Sequence, residues 1–212
     1  MLQTMNNQPI VKMRNKKINM TFEDNVKFHG HGCPGLAIGY RVASLALKEL
    51  GVRAQDEELV AIVENNSCAV DAIQLICGCT FGKGNLIFKD FGKHVYTFIK
   101  RPETEAVRIA LKWEAPAEDP ATEAMWLRYS QGDRSPEVTS VVQDRKSRKM
   151  KAILEAEDSE LFSVTRIQVA MPETASVYKS LTCDTCGEKV MEPKTREVDG
   201  RILCIPCSEK KF

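Results

Sequence analysis

The sequence predicts an α+β fold: a mixed or antiparallel sheet with packed helices, a helical insert, and a small cysteine-rich unit at its C-terminal end. Three observations predict it. Short β-rich runs between residues 59 and 112 follow and interleave with helical segments whose apolar residues recur at spacings of three and four. Beyond Pro116 the strands give way to stretches opened by proline. From Cys183 onward, paired cysteines stand where a hydrophobic core would otherwise be.

Residues 1–20 are polar, without the apolar h-region of a secretory signal, and read as a loose arm or a short lead-in helix. Thr21 caps a helix whose first turn holds Glu23 and Asp24, and the glycines around His29 end it. A second helix opens with Cys33 near the N-cap and Pro34 at the first position. Leu36, Tyr40, Ala43, Leu47 and Leu50 form its apolar stripe, and Gly51 stops it. Leu59 to Glu64 is a buried strand, and a third helix runs from about Cys68 to Ile76.

Leu86 to Lys89 and Val95 to Ile99 read as strands joined by the turn Asp90-Phe91-Gly92-Lys93. Val107, Ile109 and Leu111 alternate with polar or small residues, giving a third hairpin-connected strand; a helix over Glu105 to Trp113 competes with it. Asp119-Pro120 and Ser135-Pro136 open helices over 119–131 and 136–156. Phe162 to Val169 is one more strand. The expected domains are an arm (1–20), a core (21–175, with the insert at about 117–160) and a C-terminal unit (176–212).

Composition narrows the function. The 212 residues carry 30 basic and 29 acidic side chains, a net charge of +1, so nothing global draws nucleic acid or an anionic membrane. No apolar run approaches the roughly 20 residues of a bilayer span. The basic residues Arg145, Lys146, Arg148, Lys149 and Lys151 read as a solvated helix face rather than a nucleic-acid patch. Eight cysteines in a chain this rich in core residues point to reduced thiols binding metal in the cytoplasm, not to disulfide staples.

Cys183-x-x-Cys186 and Cys204-x-x-Cys207 are separated by 17 residues, a structural zinc spacing. Four thiolates close a tetrahedral shell, so this zinc holds structure, in a zinc ribbon or treble-clef-like unit too small to stabilise itself by burial. Asp199-Gly200 marks a hairpin between the pairs. The unit's charges balance, which favours contact with protein over nucleic acid.

The second constellation is His29-Gly30-His31-Gly32-Cys33-Pro34-Gly35, holding two of the chain's three histidines. Glycines let the backbone wrap closely around an ion, and imidazole and thiolate suit zinc and related metals. Cys33 and Cys68 each sit at an expected helix N-terminus, where the dipole favours thiolate. Asp71 lies one turn from Cys68, and Cys79 sits in a glycine-flanked loop that could fold back toward them. Cys77 reads as core and His94 as structural or surface. Gly78 to Gly84 misses the phosphate-loop spacing by one residue, leaving Lys83 as a point contact for an anion.

Phe28-His29-Gly30-His31-Gly32-Cys33-Pro34-Gly35-Leu36-Ala37 with Gly39-Tyr40-Arg41 resembles the opening motif of the formylmethanofuran dehydrogenase E-subunit family. So do Cys68 to Gln74 and Gly78 to Leu86, while the C-terminal pairs resemble the zinc-ribbon tail of many members. The resemblance covers most of residues 22–112 and 162–212. It implies an α+β core with a mixed sheet, a tethered zinc domain, a homodimer, and a core metal pocket to which His29, His31, Cys33, Cys68, Asp71 and Cys79 carry over. The core ion would be zinc or another transition metal, with direct ligands left open within this set. Three functions follow: an accessory or regulatory protein of a molybdenum or tungsten oxidoreductase, a metal-dependent enzyme, or a metal chaperone or sensor with a zinc-ribbon interaction module.

Overall fold

The computed structural model describes residues 20–209; the expected N-terminal arm, up to residue 19, lies outside them. Helices α1 (Phe22–His29), α2 (Pro34–Leu50) and α3 (Ala69–Cys77) accompany strands β1 (Leu59–Val63), β2 (Leu86–Phe88), β3 (Val95–Lys100) and β4 (Glu105–Leu111). After them come α4 (Pro120–Ser130), α5 (Pro136–Glu155), the short α6 (Asp158–Leu161) and β5 (Phe162–Gln168). The strands form one sheet in the order β2-β1-β3-β4-β5. It is a mixed sheet, because β1 and β2 run parallel across the α3 connection and every other pair is antiparallel.

One expectation is corrected here. The strands on either side of Asp90–Lys93 do not form a hairpin, because β1 lies between β2 and β3. Ala61, Ile62 and Val63 pair with Leu86, Ile87 and Phe88 on one side and with Phe98, Thr97 and Tyr96 on the other. The apolar run of β1 can be buried on both faces, so it takes a central place that local turn chemistry does not reveal. The β3–β4 hairpin does form, and residues 105–111 are strand: Ala106, Val107 and Ile109 are all buried by their neighbours, which outweighs helix propensity.

The helices gather on one face of the sheet. Leu59, Ala61, Val63, Tyr96, Phe98, Val107 and Ile109 pack there against α2 and α3, with Ile153 from α5. The opposite face carries a smaller cluster of Val60, Ile99 and Ala106, flanked by Ile167, Val169 and Met171. Helix α2 is the hub, with Leu36, Ala37, Val42, Ala43 and Ala46 fully buried. At Gly39 it meets α3 so closely that a Cβ would lie 2.2 Å from the Ala69 carbonyl oxygen. Only glycine permits that crossing, and the crossing sets the two helix N-termini side by side.

The insert docks through Arg41, whose guanidinium donates to the Ile153 and Leu154 carbonyls at 2.7 and 3.0 Å and to Asp158 at 2.9 Å. Asp119 caps α4 as expected, whereas the Ser135 hydroxyl occupies the N-cap of α5 without making a cap bond. The basic face of α5 is largely engaged within the insert: Glu118 pairs with Arg145, Arg148 and Lys149, and Arg145 lies 4.4 Å from the Trp126 ring centre. No described helix is long and apolar enough to cross a membrane.

Residues 180–208 form two hairpins and a short terminal helix: β6 (Ser180–Thr182) with β7 (Lys189–Met191), β8 (Thr195–Val198) with β9 (Arg201–Cys204), and α7 (Ile205–Ser208). The β8–β9 turn is Asp199-Gly200, with both residues at positive φ (52° and 72°), as the hairpin signal predicts.

Candidate metal centres

The C-terminal centre is assembled from two knuckles. Cys183 and Cys186 follow β6, with Gly187 at φ 75° turning the chain into β7. Cys204 ends β9 and Cys207 lies in the first turn of α7, a treble-clef-like arrangement. One atom from each of the four thiols lies within 4.8 Å of all the others. Backbone N–H groups converge on Cys183, foremost that of Cys186 and then that of Cys204, and bring its thiol down to about 6. Hydrogen bonding from Cys204, with burial next, pushes the Cys207 thiol up to about 12. Crowded thiols cannot all ionise alone, and a divalent cation at their centre resolves that repulsion.

The second centre lies where α1 ends and α2 begins. Thr21 and Asp24 close a capping box on α1, and Gly30, at φ 96°, ends the helix directly after His29. Cys33 is the N-cap of α2, its sulfur accepting the Leu36 N–H at 3.3 Å, and Pro34 follows. This tight turn brings one ligand atom each of His29, His31 and Cys33 within 4.8 Å of one another. The imidazoles lie 4.6 Å apart, tilted by 37°.

Asp71, on the first turn of α3, reaches across to His29: its Oδ2 is 2.7 Å from Nδ1. That bond fixes the imidazole and leaves Nε2 to act, yet Nε2 is buried and has no hydrogen-bond partner among the described residues. A buried nitrogen without a partner is costly, and a metal ion is a partner that removes the cost. Two imidazoles and a thiolate are the donor set that a borderline metal such as zinc takes, so the residues present fit one.

The remaining candidates separate. Cys68 joins the group from the N-terminus of α3. A Cβ on Gly35 would lie 3.3 Å from Cys68 Cβ and 3.9 Å from Cys33 Sγ, which puts the two cysteines on either side of that glycine. Cys68 makes no cap bond, and burial, followed by its contact with Cys33, raises its thiol rather than favouring thiolate. Cys79 stands apart, fully buried with its thiol 3.3 Å from the Leu59 carbonyl, and burial pushes it up to about 12. The loop thus folds into the core and not back over the histidines. Lys83 donates to the Gln55 and Asp56 carbonyls at 3.2 and 3.1 Å, so its ammonium is tied to a neighbouring loop. Cys77 is core, as expected.

Two supporting residues carry no sequence signal. Asn65 is buried, donates to the Lys93 carbonyl at 2.6 Å and accepts from Ser67 N–H at 3.1 Å, holding the loop that presents Cys68. Met150, within the basic stretch of α5, covers Gly32, where a Cβ would lie 3.2 Å from its sulfur. Beside it, Phe22, Val26, Gly32, Met150 and Leu154 line a mainly apolar groove of about 600 Å³.

An α+β layer of this kind, with a four-thiol knuckle, defines a metal-binding protein whose C-terminal zinc is structural. Residues 28–163 match the family model described as "FmdE, Molybdenum formylmethanofuran dehydrogenase operon", more than half of the chain, and the protein belongs to that family. Residues 177–211 match the prokaryotic dksA/traR C4-type zinc finger. A protein of Archaeoglobus fulgidus, named as a probable S-adenosyl-L-methionine-binding protein, is 33% identical over 193 residues. That match takes in 86% of this chain but spans only 50% of the relative. An FmdE-like protein of tungsten formylmethanofuran dehydrogenase from Syntrophus aciditrophicus shares the fold, with a TM-score of 0.57 at 22% identity over 92% of this chain and 96% of that one.

Proposed function

We propose that the turn after α1 binds a transition-metal ion, zinc or a related metal, through His29 Nε2, His31 and Cys33, with Cys68 beside them. Asp71 orients His29 in this reading rather than binding the ion, and Cys79 serves the core. The observation that carries it is the His29–Asp71 pair, which leaves a buried Nε2 without a partner at the convergence of the donors. We further propose that the protein is an accessory or regulatory partner of a molybdenum or tungsten oxidoreductase. The molybdenum enzyme operon for which the family is named, and the tungsten enzyme for which the Syntrophus protein is named, support this. It would act in the cytoplasm as a homodimer, with residues 21–175 as the metal-binding core and 176–212 as the contact module.

The test is metal content per chain by elemental analysis, on protein purified without chelator. Two ions are expected, one lost in Cys33→Ala and the other in Cys183→Ala. One ion that survives Cys33→Ala would remove the core metal from this account.

A second reading is a metal-dependent enzyme, favoured by the exposure of His31, which leaves the centre open to solvent. Three protein donors with an exchangeable water would activate that water for attack. Azide or cyanide binding to a cobalt-substituted core site, seen as a change in its visible spectrum, supports that reading. A spectrum indifferent to both ions opposes it.

A further inference from the structure

Cys33 and Cys68 are free thiols, partly buried, and brought together from distant parts of the chain. The Gly39–Ala69 crossing locks α2 onto α3, so the N-terminal ends that carry the two cysteines cannot drift apart. Gly35 lies between them with no side chain to separate them. Their environments differ in a useful way. Cys33 receives the Leu36 N–H, a bond that supports a reactive thiolate, while Cys68 has no cap bond. None of the four C-terminal thiols takes part in this pair, because they form their own cluster.

We propose that Cys33 and Cys68 are a redox pair that a hydroperoxide converts to a disulfide, and that this closure expels the core metal. The Cys33 thiolate attacks the outer oxygen of the peroxide, the O–O bond breaks, and Cys33 becomes a sulfenic acid as hydroxide leaves. Cys68 then attacks the Cys33 sulfur. The S–S bond forms, the S–O bond breaks, and the departing hydroxide takes the Cys68 proton as water. Two thiols and one hydrogen peroxide give one disulfide and two waters, a two-electron oxidation of the pair. Since Cys33 offers its sulfur either to the ion or to Cys68, disulfide formation removes a ligand. Thiol reductants reverse the step by exchange. The expulsion half rests on the metal reading above; the disulfide itself does not.

The experiment treats zinc-loaded, full-length protein with a few equivalents of hydrogen peroxide. Peptide mapping without reduction reads the cross-link, and a chromogenic zinc indicator reads the metal. A peptide joining Cys33 to Cys68 is expected, with about one zinc released per chain and restored by dithiothreitol plus zinc. Cys68→Ser should abolish the cross-link and leave Cys33 as a sulfenic acid that dimedone traps. Cys33 and Cys68 oxidised separately and never joined, while the indicator still reports a core ion, would overturn the redox pair and leave the metal site standing. A cross-link without any core zinc to release would do the reverse, removing the metal reading and its expulsion step while retaining the pair.

Discussion

At the scale of single residues, the core centre depends on how one imidazole is held. His29 ends a helix, so its backbone is set by the Gly30 turn, but its ring is aimed by a carboxylate 42 positions along the chain. The Asp71–Nδ1 bond selects the tautomer whose Nε2 carries the free lone pair, the arrangement that makes a histidine a good ligand. Asp71→Asn keeps the shape and removes the charge. We expect core zinc affinity to fall roughly tenfold to hundredfold, measured by competition against a chelating dye, with the thermal stability of the metal-free protein nearly unchanged. Equal affinity in the variant would make Asp71 a bystander. Cys33 was legible as a helix cap because its neighbours Pro34 and Gly35 are sequential. The fate of Cys79 was not, because which way a loop thiol faces depends on β1 beneath it.

At the scale of elements, the helices were easier to read than the sheet. Helices α1, α2, α4 and α5 announce themselves by caps and period, all within one stretch of chain. The Asp119 carboxylate shows how much such a cap does for α4. It accepts the Thr122 N–H at 3.0 Å and the Thr122 hydroxyl at 2.7 Å, and these bonds, the hydroxyl's first, hold it below its ordinary value. A carboxyl held lower in the folded than in the unfolded chain stabilises the fold above its unfolded pKa. That contribution disappears as pH falls through the folded value. Asp119→Ala should therefore melt a few degrees below the native protein at pH 7, and the gap should close as the pH falls toward 3. A gap independent of pH would assign the loss to packing instead. Strand order lacks such local marks: β1 slides between β2 and β3 because both of its edges find partners, which no turn residue encodes.

At the scale of the whole molecule, the stretch at 170–179 has no regular structure yet is tied to the sheet and its loops at three points. Arg101 donates to the Pro172 and Glu173 carbonyls at 2.7 and 3.0 Å. Glu57 accepts the Ala175 N–H at 3.1 Å, and Gly84 leaves room for the Ala175 methyl. These ties lead the chain from the sheet toward the zinc unit. In Arg101→Ala we expect cleavage by a broad-specificity protease within residues 170–179 to quicken several-fold, followed by mass spectrometry, while the rest of the chain stays protected. An unchanged digestion rate would show that the Glu57 and Gly84 contacts suffice.

The sequence by itself determined the class of fold, the helix ends, the four-cysteine zinc unit and the family, because caps, period and ligand spacing act over a few residues and are written consecutively. The tertiary structure alone decided the order of the sheet, the meeting of Cys33 with Cys68, the bond from Asp71 to His29 and the withdrawal of Cys79 into the core. Each of those depends on the close crossing of α2 and α3 or on which faces of β1 are covered. Both result from burying apolar surface that comes from distant segments, and that term has no local signature.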